Sequence, residues 1–107
     1  MTEALLPGTL EMLILRTLTL QRMHGYAIAQ HIARVSNDAL QVEKGSLYPA
    51  LERLQKRGWV NSKWGESPTG RRARYYTITP LGQRQLGLQE TGFAELMDAI
   101  ARVMRPA

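Results

Sequence analysis

The chain has 107 residues, no cysteine and a net charge of +5. That length suits one compact domain, with or without a helical extension, and leaves no room for a separate enzyme domain. The absence of cysteine removes disulfides, thiolate metal sites and thiol nucleophiles together, no apolar run approaches the ~20 residues of a membrane span, and the start lacks signal-peptide order, so the expected location is the cytoplasm.

Leu10, Leu13, Ile14 and Leu18 recur three and four apart after Thr9, which predicts a first helix over residues 9–20, entered through Pro7 and Gly8. Met12 and Leu15 lie off that stripe, so the helix is expected to carry apolar surface beyond one core face, suited to a partner chain. A turn at His24 and Gly25 leads to a second helix, residues 26–35, with Ile28, Ile32 and Val35 inward, ending before Ser36, Asn37 and Asp38. The third helix is predicted over residues 46–57, with Gly45 before it and Gly58 as terminator. Leu47, Leu51 and Leu54 form its core face. Ser46, Pro49, Arg53, Lys56 and Arg57 cluster roughly opposite.

Two β-branched and aromatic segments, residues 60–64 and 73–78, then read as strands joined by the turn-rich segment 65–72. The result is a hairpin with a basic tip. Thr79 and Pro80 have the chemistry of a cap and first helical residue for a last helix reaching Met104. Its later part aligns Phe93, Leu96, Met97, Ile100, Val103 and Met104 on one stripe. Gly82, Gly87 and Gly92 each weaken it by ~1 kcal/mol relative to alanine, so it needs something to pack on.

Charge is segregated along this order. Residues 44–84 hold nine basic and two acidic side chains, whereas the rest of the chain holds five and seven. A positive middle section between near-neutral flanks suits one face held against a polyanion, although a solvated basic surface produces the same count. Three helices, a basic hairpin and a last helix describe a mainly α fold with a small β-hairpin: a winged helix-turn-helix over residues 1–79 and a C-terminal dimerisation helix over 80–107. The third helix of such a fold enters a DNA major groove ~12 Å wide. Arg53 is the expected base reader, because a guanidinium bonds guanine through two atoms, while Lys56 and Arg57 at the far end suit phosphates. Lys44, Gly45 and Ser46 open the helix, where free N–H groups and the positive dipole end hold a phosphate. Tyr48 flanks this face, with a core-edge role as its alternative. Arg71, Arg72 and Arg74 form a cationic cluster fit for a minor groove or its rims, against a bland role in solubility.

Metal binding and catalysis have little support. His24 and His31 are seven apart with no acidic or sulfur ligand at a fitting spacing, Glu52 lacks a carboxylate partner, and Ser46 has no activating histidine. No cofactor is expected. The alternatives of another class are a winged-helix protein-interaction module and a small ligand-binding or enzymatic protein.

The segments KGSLYPALERL (44–54), Gly58-Trp59-Val60, GRRARYYTITPLG (70–82) and HGYAI (24–28) resemble the PadR family of transcriptional regulators, over nearly the whole chain. The resemblance implies a non-enzymatic, dimeric winged-helix repressor, here similar to the shorter subfamily with a single C-terminal helix. It also implies that the last helix, together with the first, forms the dimer contact. It implies DNA-facing roles for Lys44, Ser46, Tyr48 and Pro49 and for the hairpin arginines. Double-stranded DNA is thus the expected partner, bound by a homodimer at an inverted repeat. A small-molecule effector is a further possible partner. Some members hold flat aromatic drugs between tryptophans of the last helix, but here that helix has none. Trp59 is expected in the core beneath the hairpin.

Overall fold

A computed structural model describes residues 7–106. The order is α1 (Pro7–Leu18), β1 (Met23–His24), α2 (Gly25–Val35), α3 (Lys44–Lys56), β2 (Val60–Glu66), β3 (Arg72–Ile78) and α4 (Pro80–Met104). The sheet runs β1-β3-β2, both pairs antiparallel, with Val60 opposite Ile78 and Glu66 opposite Arg72. The expected fold class is therefore what forms. The short β1 replaces the expected turn at His24, since Met23 and His24 pair with Tyr76 and Tyr75. Two residues are too few to show the alternation by which a strand is recognised.

The core forms around α1, which packs on α2, α3, α4 and β3. Leu10, Ile14, Leu15 and Leu18 meet Ile28 and Ile32 from α2, Leu47, Leu51 and Leu54 from α3, and Val60, Ile78 and Leu86 beyond. A helix with neighbours on several sides buries more than one stripe. This corrects the reading of Leu15 and Met12 as spare surface for a second chain: Leu15 is 0% exposed and Met12 is also buried within the protomer. Val35, expected inward, is 65% exposed at the last turn of α2.

Local chemistry sets the junctions. Gly58 adopts φ +76° after α3, the left-handed conformation glycine takes without strain. Thr79 caps α4 by accepting from the Gly82 N–H at 3.0 Å, and its own hydroxyl donates to the Gly58 carbonyl at 2.7 Å. Gly82 lies so close to β2 that a Cβ there would stand 2.1 Å from the Trp59 carbonyl oxygen. The start of α4 is thus seated on the sheet, whereas beyond Leu86 none of its described residues is buried.

Candidate nucleic-acid interface

On α3, Leu47, Ala50, Leu51 and Leu54 are buried, while Lys44, Gly45, Ser46, Tyr48, Pro49, Glu52 and Lys56 are exposed on the outward side. Pro49 sits in the second turn, and the helix carries it there as part of its solvent face. Glu43 precedes the helix without a side-chain cap bond, so no side chain of its own covers the first N–H groups of α3. Tyr48 lies against the start of α2, where a Cβ on Gly25 would stand 2.8 Å from its ring, so the absence of a side chain at Gly25 lets the ring rest there.

Arg53 and Arg57 are not on that outward face as expected. Both turn toward α1, where Arg53 Nε donates to Glu11 Oε1 and Arg57 donates to Glu11 Oε2, each at 2.8 Å. The Glu11 side chain is 6% exposed and the arginines 39% and 45%. Arg57 also lies over the half-buried Trp59 ring, 5.0 Å from its centroid. A buried carboxylate needs charged, hydrogen-bonded partners, and two guanidinium groups one helical turn apart supply them. In this structure Arg53 and Arg57 thus tie α1 to α3, which turns their guanidinium groups away from the positions expected of a base reader and a phosphate contact. The sequence signal was present: Glu11 falls within a run of apolar core residues, where an acid demands a partner.

The wing is β2, β3 and the turn between them, with Gly70 at φ +82°. Arg72 and Arg74 lie over the exposed Trp64 ring at 4.9 and 5.8 Å from its centroid. Arg74 also donates through Nε to Ser62 Oγ at 2.9 Å, and Ser62 donates to Gln55 Oε1 at 3.1 Å. This relay joins the wing to α3. Arg74 is partly committed to it, while Arg71 and Arg72 project further along the wing. Between α2, Tyr48 and the wing lies an open cleft of about 630 Å³, lined among others by Tyr26, Tyr48, Trp64, Arg71 and Arg72. Sequence reading missed Tyr26, Ser62 and Trp64 as parts of this surface. Beneath it, burial raises the Tyr76 hydroxyl above its usual value, opposed by Arg74 and reinforced by Tyr48 and Glu52.

Both histidines have local roles. His24 Nδ1 accepts from the Ala27 N–H at 3.2 Å as the cap of α2, with its ring edge-on to Tyr75, and His31 bonds Arg34 at 3.3 Å. Among the described residues no group of three His, Cys, Asp or Glu is placed to hold a metal, and no helix is long and apolar enough to cross a membrane. On α4, Phe93, Leu96, Met97, Ile100, Val103 and Met104 are all exposed.

A three-helix body, a basic hairpin beside the outward face of the third helix and a trailing fourth helix define the winged-helix class of DNA-binding proteins. Residues 14–88 match the transcriptional regulator PadR-like family. A transcriptional regulator from Clostridium thermocellum is similar in structure, with a TM-score of 0.84 and 26% identity over 92% of this chain and 95% of that one. A PadR family transcriptional regulator from Eggerthella lenta gives 0.80 and 29%, over 94% and 85%. In sequence, an uncharacterised protein from Lysinibacillus sphaericus is 31% identical over 87% of this chain and 85% of its own. The chain belongs to the PadR-like family of transcriptional regulators, whose work is DNA-binding regulation.

Proposed function

We propose that the protein is a cytoplasmic repressor that binds an inverted-repeat operator as a homodimer and excludes polymerase by occupying the site. The observation that carries this reading is the continuity of the exposed α3 face with the arginine-bearing wing across the Tyr48 cleft. In it, residues 1–79 are the DNA-binding unit and residues 80–107 the dimerisation helix. Lys44, Gly45 and Ser46 hold a phosphate at the start of α3, Tyr48 and Pro49 lie along the groove, Lys56 meets the far strand, and Arg71 and Arg72 reach the neighbouring minor groove. Arg74 supports them through Ser62.

Pairing rests on the exposed stripe of α4 from Phe93 to Met104, which a second copy covers. Two-fold symmetry then sets the recognition helices ~34 Å apart, one turn of DNA. With no tryptophan in α4, a stacking slot for a flat aromatic effector is not part of this proposal. Selection of duplexes from a random-sequence pool by the full-length protein tests it. The expected result is an inverted repeat with half-sites one helical turn apart. Recovery of a single, unrepeated half-site would contradict the dimeric reading, and recovery of no preferred sequence would contradict the regulator reading itself.

A further inference from the structure

We infer that Glu52 is a specificity-determining residue that selects a cytosine in each half-site. The inference rests on the proposed reading that α3 lies in the major groove, and it begins from the commitment of Arg53 and Arg57 to Glu11. With those guanidinium groups turned toward α1, the long side chains left on the outward face of α3 change. At ~100° per residue, Gly45, Pro49, Glu52 and Lys56 fall in one sector about 60° wide, opposite Leu47, Leu51 and Leu54. Gly45 and Pro49 are compact and let the backbone approach. Lys56 stands in the last turn. Glu52 is the long side chain between them, it is exposed, and among the described residues it forms no ion pair.

A carboxylate at the centre of a face that meets a polyanion is repelled by the phosphates on both sides, and the repulsion is present for every DNA sequence. Non-specific attraction is therefore worse with Glu52 than with an uncharged residue. Hydrogen bonding to a matching base edge offsets that penalty at the right sequence only, which is how such a group produces discrimination. An ionised carboxylate accepts and cannot donate. In the major groove guanine offers the acceptors N7 and O6, thymine an acceptor and a methyl group, and adenine an acceptor N7 beside its amino group. Cytosine offers its N4 amino donor alone, so it is the base that satisfies a carboxylate without setting an acceptor against it.

The sequence preferences of three full-length proteins, wild type, Glu52→Gln and Glu52→Ala, selected from the same random duplex pool, test this. In the wild type one position per half-site is expected to be cytosine, with a ~10-fold preference over other bases. Glu52→Gln is expected to move that position toward adenine, whose N6 and N7 a carboxamide bonds together, and Glu52→Ala to leave it without preference. On a mixed-sequence duplex both variants should bind more tightly than the wild type, because the repulsion is gone. A merely structural Glu52 would weaken all sequences alike and lower the melting temperature. Identical preferences in all three proteins, with half-sites still selected, would overturn this assignment while leaving the regulator reading intact. A wild type that selects no sequence would overturn both.

Discussion

Glu11 is enclosed by protein, while Arg53 and Arg57 each keep a substantial part of their side chains in water, so the two ends of this contact are not equivalent. Removing the carboxylate lets the arginines rehydrate; removing both arginines strands a buried charge. Arg53→Ala/Arg57→Ala is therefore expected to cost about 1 to 3 kcal/mol of stability, the range for leaving a buried acceptor without its partners, and Glu11→Ala clearly less. Urea denaturation of the two proteins checks the order, and a Glu11→Ala protein less stable than the double variant would contradict it. Tyr76 gives a second test. Its hydroxyl, raised chiefly by burial from a usual value of 10.0, ionises in the unfolded chain before it does so in the folded one. Its contribution is complete below pH 10 and is lost as pH rises through the folded-state value. Tyr76→Phe should then show a smaller fall in melting temperature above that pH than the wild type; equal falls would show that Tyr76 does not govern the alkaline limb. At this scale the sequence was least legible. The spacing of Arg53 and Arg57 on α3 is a local property, but their direction is decided by Glu11, more than forty residues earlier.

Elements were more legible, because periodicity and capping are local. The α3 core stripe, the Gly58 terminator and the Thr79 cap all follow from neighbours in the chain, and the wing from two β-rich segments around a turn. What escaped was β1, stabilised only by its partner β3, and the burial of Leu15, which depends on four elements closing around α1. The wing itself divides into parts with different work. Arg71 and Arg72 are exposed and, in the proposed complex, meet phosphates, whereas Arg74 links Ser62 and Gln55 on the way to α3. Arg71→Ala/Arg72→Ala should weaken binding to all duplexes about equally and flatten the plot of log K against log salt by ~0.9 for each phosphate that is no longer neutralised. Fluorescence anisotropy at a series of salt concentrations measures that slope, and an unchanged slope would place the wing away from DNA.

At the scale of the whole molecule the question is what covers α4. Leu86 is its last buried side chain, and the stripe from Phe93 to Met104 spans barely two heptads of exposed apolar surface. So short a stripe does not make a secure free-standing coiled coil. Because Leu15 is consumed by the core, the first helix has less to offer a partner than its sequence suggests; Met12 contributes only at a shallow recess shared with Gly8, Thr9, Gln89 and Phe93. The stripe should therefore pair mainly with its own copy across the two-fold axis, with Phe93 closing against the recess. Truncation after Leu88 removes the stripe and no buried core side chain. The shortened chain is thus expected to keep a cooperative unfolding transition, to sediment as a monomer, and to lose tight operator binding while retaining weak attraction to any DNA, since one winged helix covers only ~600 to 1,000 Å² of protein surface on a duplex. Sedimentation equilibrium on both chains at micromolar concentration is the direct measurement. A truncated chain that still dimerises, or a full chain that does not, would remove α4 as the interface and with it the two-fold spacing of the recognition helices.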